Sequence, residues 1–152
     1  MFVQHRADTY VQRMPRHAQC QCGAFHASVD AEPEAVVICS CTECQRRSGS
    51  PFGEAAYFSR DQVTLSGEAR EYVRTADSGK AFHTFFCPTC GSSLYWFSAR
   101  DPNRVGIAVG AFADAHFPKP TRSVFERSKA DWLVLGCDIP GFEAGRDSSK
   151  TR

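Results

Sequence analysis

Apolar and polar positions alternate over short stretches along most of this chain, and turn residues interrupt them at close intervals. Residues 24–31 (AFHASVDA) alternate around Phe25 and Val29, and residues 36–39 and 55–58 are short apolar runs. Residues 63–66 and 71–74 flank Gly67 in a hairpin-like arrangement. Residues 81–86 lead into a cysteine pair and 94–97 leave it; 105–112 (VGIAVGAF) is strand-like, with glycines that signal bends or close backbone approach, and 132–135 is a final candidate. The short stretch 42–48 predicts the one helix, too brief to persist without packing or metal. No long amphipathic helical pattern appears, and strands do not alternate with long helices. The pattern therefore predicts a mainly β domain of short strands with little helix, rather than a parallel α/β sheet.

The chain has 152 residues, enough for one domain with a real core. Residues 1–15 are polar and irregular and predict a flexible N-terminal arm. Residues 16–143 predict a single domain, and the small polar residues 144–152 (AGRDSSKTR) predict a disordered tail. Twelve Phe, four Tyr and two Trp supply rings suited to sheet faces.

Eighteen basic residues against 17 acidic give a formal charge of +1, and no polybasic block stands out. This argues against a nucleic-acid or anionic-membrane partner. No segment approaches the roughly 20 apolar residues of a membrane span. Residues 1–19 carry no apolar run like a signal-peptide core, which predicts a cytoplasmic protein. In that compartment clustered cysteines bind metal or do chemistry more often than they form disulfides.

The eight cysteines fall into three groups and a singleton. Cys20 and Cys22 form C-x-C; Cys39, Cys41 and Cys44 form C-x-C-x-x-C; Cys87 and Cys90 form C-P-x-C-G with Pro88 and Gly91; Cys137 stands alone and reads as a small buried hydrophobe. The C-P-x-C-G turn is a zinc-knuckle pattern supplying two thiolates of the four that a closed site needs. Cys20 and Cys22, also followed by glycine, are the better partners for it. Cys39, Cys41 and Cys44 then remain together, three thiolates with a fourth position open, as in catalytic zinc sites. Two alternatives stand beside this reading: disulfides or free thiols, and a second closed ion completed by a residue such as His83, four residues before Cys87. Two zinc ions on seven thiolates would move the charge to about −2.

Residues 45–52 (QRRSGSPF) follow the last of the three cysteines directly. Arg46 or Arg47 can pair with a substrate carboxylate, Ser48 and Ser50 can hydrogen-bond it, Gly49 admits a close backbone, and Phe52 can form an apolar wall. The plainer reading puts both arginines on a solvated helix face, with the serines and Gly49 ending the helix.

The segments CQCGA (20–24), CSCTECQRRSGSPF (39–52), FCPTCGSSLYW (86–96), VGAFAD (109–114) and DWL (131–133) together resemble the glutathione-dependent formaldehyde-activating enzyme family and its centromere-protein-V-like relatives. The resemblance spans about residues 20–142. It implies the β-tent, or Mss-four-like, fold. It implies a structural zinc on Cys20, Cys22, Cys87 and Cys90, and an active-site zinc on Cys39, Cys41 and Cys44. The implied activity is that of S-(hydroxymethyl)glutathione synthase, a carbon–sulfur lyase in reverse, with glutathione or another small thiol and a small aldehyde as substrates. A noncatalytic zinc-binding β module that docks a protein partner is the alternative.

Overall fold

The computed structural model describes residues 15–136 and 138–152. Cys137 and nearly all of the expected N-terminal arm lie outside the described residues. Two sheets make up the fold. Strands β1 (Arg16–Gln19), β2 (His26–Val29) and β5 (Val63–Ser66) form a three-stranded antiparallel sheet in the order β1-β2-β5. The second sheet holds β3 (Ala35–Cys39), β4 (Gly53–Ser59), β6 (Arg70–Thr75), β7 (Ala81–Phe86), β8 (Ser93–Ser98), β9 (Asp101–Ala108) and β10 (Arg122–Val124). Its order is β10-β3-β4-β9-β8-β7-β6, antiparallel except for β10 beside β3. The single α-helix among the described residues, α1, is Thr42–Ser48, as the sequence predicts.

Strand periodicity decides which side chains meet. Val36 and Ala56 are partners in register, as are Ala56 and Ile107. All three face Ala18, Ala27 and Val29 of the small sheet, and with Phe25, Phe58, Leu94 and Val105 they form the main core. Ala35, Val37 and Val124 take the opposite face and pack with Cys39, Tyr57, Phe125 and Phe142. That division explains why β3 (AVVIC) is apolar at nearly every position: both of its faces are covered.

The expected hairpin around Gly67 does not form. β5 pairs with β2 and β6 with β7, so the chain crosses from one sheet to the other at this glycine. Gly67 has φ 95° and lies so close to the other chain segment that a Cβ would sit 1.9 Å from the Ala24 carbonyl oxygen. Gly67→Ala is therefore expected to cost about 3 kcal/mol, lowering the thermal midpoint by about 6–12 °C in a calorimetric scan. An unchanged midpoint would show that the crossing is not this tight.

Residues 132–135 are not a strand. Trp132 and Val134 are 70% and 84% exposed, since the run has no neighbouring strand to pair with among the described residues. β1 and β10 are too short and too polar to stand out as an alternating pattern. Residues 144–152, whose composition predicts a loose tail, lie against the body: Thr151 N–H donates to Gly141 O at 3.0 Å and Arg152 pairs with Glu126 at 2.8 Å. No helix among the described residues is long and apolar enough to cross a membrane.

Candidate metal centres

The first centre joins the two sheets. Cys20 and Cys22 follow β1, and Cys87 and Cys90 follow β7. The two turns are alike. Cys20 N–H donates to Phe25 O at 2.8 Å and Gly23 N–H to Cys20 O at 3.0 Å; Cys87 N–H donates to Ser92 O at 3.0 Å and Gly91 N–H to Cys87 O at 2.9 Å. A cross-link between the turns runs from Gln21 N–H to Ser92 Oγ at 3.1 Å. All four sulfurs lie within 4.8 Å of one another. Cys20 and Cys22 Sγ are 3.5 Å apart, and Cys22 and Cys87 Sγ 3.6 Å. These are far longer than the S–S bond of about 2.0 Å, and the seven described cysteines are free. They are close to the separation of about 3.8 Å between sulfurs arranged tetrahedrally around an ion with Zn–S near 2.3 Å. Phe25 N–H reaches Cys20 Sγ at 3.3 Å, and the Ser92 hydroxyl lies 3.3 Å from Cys90 Sγ. The Ser92 hydroxyl, with the Ser92 N–H behind it, holds the Cys90 thiol down at about 5. Donors aimed at sulfur favour thiolate, the ligating form. The donor set fits a tetrahedral thiophilic cation.

The second centre sits on the outer face of the large sheet, where β3 ends and α1 begins. Cys39 is the last residue of β3, Cys41 is the N-cap of α1 and Cys44 lies in its first turn. A three-residue step along a helix start returns to the same side, so Cys41 and Cys44 turn toward Cys39. Their sulfurs lie within 4.8 Å of one another, and no fourth His, Cys, Asp or Glu joins them among the described residues. Cys41 Sγ accepts the Cys44 N–H at 3.4 Å. The Cys39 and then the Cys44 thiol hydrogen-bond to Cys41 and hold it down at about 2, while the same contacts push Cys39 far up. Three sulfurs this close cannot all ionise on their own; a cation among them removes the conflict.

Contacts beyond the sulfurs fix this loop. The Gln45 amide donates to Ser40 O at 2.7 Å and to Ser128 O at 3.1 Å, and the Ser128 hydroxyl donates to Ser40 O at 2.9 Å. α1 can settle onto β4 because Gly53 has no side chain: a Cβ there would lie 2.8 Å from Arg47 Nη2 and 3.2 Å from Cys44 Cβ. His83 is elsewhere, on β7, stacked on Phe97 and 2.6 Å from Glu71, so it does not complete the second centre.

The stretch after Cys44 splits into two kinds of residue. Arg46 is 75% exposed and pairs with Glu43 at 2.9 Å, the solvated-face role. Ser48 Oγ lies 2.8 Å from Cys44 O and 3.0 Å from Phe52 O and accepts the Ser50 N–H at 3.3 Å. Gly49, at φ 65°, is the C-cap and returns its N–H to Gln45 O. These contacts close the helix end. Arg47 differs: its guanidinium lies 3.7 Å from the centre of the Trp96 ring. With Phe52 it lines a cleft of about 700 Å³ that runs from α1 past the end of β4 to the rim of the four-cysteine centre at Cys20 and Cys90. Glu54, Gln19, Gln21 and Ser93 also line it, and sequence reading did not single them out. Glu54 carried one signal, a carboxylate in a strand otherwise apolar on that face.

A mainly β protein with one four-sulfur and one three-sulfur cluster falls in the class of cysteine-rich β proteins whose clusters could hold metal ions. The sequence model of the glutathione-dependent formaldehyde-activating enzyme family matches residues 15–128, and the chain belongs to that family. No curated protein matches it in sequence. Among solved structures, a crystal structure of a Rhodobacter sphaeroides protein, determined as a structural-genomics target, is similar at TM-score 0.50 and 21% identity. The alignment covers 62% of this chain and 85% of that one, and it bears on the fold alone.

Proposed function

We propose that this protein joins a small thiol to a small aldehyde and splits the product in reverse, an S-(hydroxymethyl)glutathione synthase-like carbon–sulfur lyase. One observation carries the reading: Cys39, Cys41 and Cys44 gather three sulfurs without a fourth protein ligand among the described residues. Family membership supports it, since the family description names glutathione and formaldehyde. In the forward direction the thiol sulfur bonds to the carbonyl carbon. The π pair of the C=O bond moves to oxygen, which takes up the proton the thiol gives up. The product is a hydroxymethyl thioether, and the reverse reaction breaks the C–S bond.

Zinc is the ion proposed for both centres, from thiolate preference. At the three-cysteine centre zinc would be electron-rich and would favour a thiolate over hydroxide. The chain's own part is to hold Cys39, Cys41 and Cys44 at fixed spacing through the Gln45 and Ser128 contacts. Arg47, held over Trp96, offers its charge to a substrate carboxylate. Phe52 forms an apolar wall. Ser48, Ser50 and Gly49 contribute by closing the helix that carries Cys44 and Arg47.

The experiment is exchange of carbon-13-labelled formaldehyde with glutathione, followed by magnetisation-transfer NMR. Addition of protein should accelerate exchange well above the spontaneous rate; a rate equal to that background would sink the proposal. Among variants, Arg46→Ala should leave exchange and stability within about 0.5 kcal/mol of the parent, as for an exposed pair. Arg47→Ala should raise the KM for glutathione about tenfold, from a lost charge-assisted contact. Equal effects from the two arginines would show that the ring-stacked one has no special part.

A further inference from the structure

We infer that Glu126 and Arg152 are positioning residues of the three-cysteine centre, acting through the turn at residues 125–128 and the serine that ends it. The inference rests on the thiol-adduct reading above, in which Cys39, Cys41 and Cys44 hold an ion, and deepens it. Ser40 stands between two of those cysteines and is fully buried. Both of its backbone groups go to residues 124–128. Its N–H donates to Val124 O at 3.1 Å, and its carbonyl accepts the Ser128 hydroxyl at 2.9 Å beside the Gln45 amide at 2.7 Å. The spacing of Cys39 and Cys41 is therefore no firmer than the turn that carries Ser128.

That turn does not hold itself. Phe125 opens it at φ 57°, left-handed backbone that is strained for a bulky side chain. Support comes from the segment 139–152, which lies beyond the residues matched to the family. Phe125 N–H donates to Ala144 O at 2.9 Å and Glu126 N–H to Phe142 O at 3.0 Å. Phe142 also packs in the apolar cluster that includes Cys39. One side chain fastens this segment. The Glu126 carboxylate, 7% exposed, accepts the Thr151 hydroxyl and pairs with Arg152 at 2.8 Å, and Arg152 Nε donates to Ile139 O at 3.2 Å. Gly141 leaves the room for it, since a Cβ there would run into the carboxylate. Both ends of the segment are thus tied to the turn through one ion pair, and loosening the pair frees Ser128. The four-cysteine centre hangs on the turns after β1 and β7 instead and serves as the internal control.

The test is release of zinc from the loaded protein by a graded chelator series, with the freed thiols alkylated and read by peptide mass spectrometry, so that each centre reports separately. Arg152→Ala, at a side chain 36% exposed, should weaken zinc at Cys39, Cys41 and Cys44 about tenfold, the lower range for contacts behind a metal ligand, and leave Cys20, Cys22, Cys87 and Cys90 unchanged. Arg152→Lys, which keeps the charge, should recover most of the loss. Ser128→Ala should weaken the same centre alone, and the double variant should be no weaker than the worse single one, because both act on one path. Equal loosening of the two centres by Arg152→Ala would make the segment merely structural and overturns the inference. An unchanged three-cysteine centre with a lower thermal midpoint does the same, as does full additivity in the double variant. A parent whose Cys39, Cys41 and Cys44 alkylate as readily with zinc as without it overturns the thiol-adduct reading and the inference with it. A parent that protects them, with variants that protect them equally, overturns the inference only.

Discussion

Cys87→Ser is expected to leave a protein with one fewer bound ion per chain and a thermal midpoint lower by about 10–20 °C, or with no cooperative transition at all. Cys87 is fully buried in the main core and is one of four sulfurs gathered from both sheets. Structural zinc contributes about 10–16 kcal/mol of apparent folding free energy in small zinc domains, against a total stability of about 5–15 kcal/mol for an ordinary domain. Serine offers a poor, harder donor and leaves three thiolates competing for charge. Losing even about 5 kcal/mol reaches the stated shift for a chain of this size. Metal analysis and a calorimetric scan on the same sample check it. A Cys87→Ser protein that melts like its parent would mean that the closed centre does not hold the sheets together.

Cys41→Ser is expected to do the opposite: to reduce labelled-formaldehyde exchange by at least about 100-fold, the upper range for disturbing even outer metal contacts, while moving the midpoint by only a few degrees. The contrast comes from the place Cys41 occupies. It is the N-cap of α1, and its sulfur accepts the Cys44 N–H. Serine is among the best N-cap residues and can accept the same bond. The substitution thus removes a thiolate from the open centre while keeping the helix start. Parallel loss of folding in Cys41→Ser and Cys87→Ser would show that the second centre is structural as well.

The cysteine spacing made both centres legible, because thiolates a few residues apart can share an ion only in a few ways. α1 was legible for the same reason, its first turn being bounded by Cys41 and Cys44. The mainly β architecture followed from alternation around β2 and from short apolar runs such as those in β3 and β4. The partnering of strands was not legible. Gly67 looks like the tip of a hairpin, and only the close approach to Ala24 O shows that it is a crossing between sheets. Residues 132–135 have the apolar composition of a strand, but composition cannot supply a neighbour. In the candidate site, Arg46 and Arg47 are adjacent and chemically identical, and no local pattern separates them. One faces water beside Glu43, and the other lies on Trp96, far along the chain. Glu54 escaped notice because the cleft it lines is built from both sheets.

The amide of Gln45 spans Ser40 O and Ser128 O. As the chain leaves the ribosome, the closed centre has all its ligands once Cys90 is made. The loop bearing Cys39, Cys41 and Cys44 is synthesised earlier but lacks its brace until Ser128 follows. In order of assembly the four sulfurs drawn from both sheets are therefore complete first, and the three at the start of α1 are held in place last.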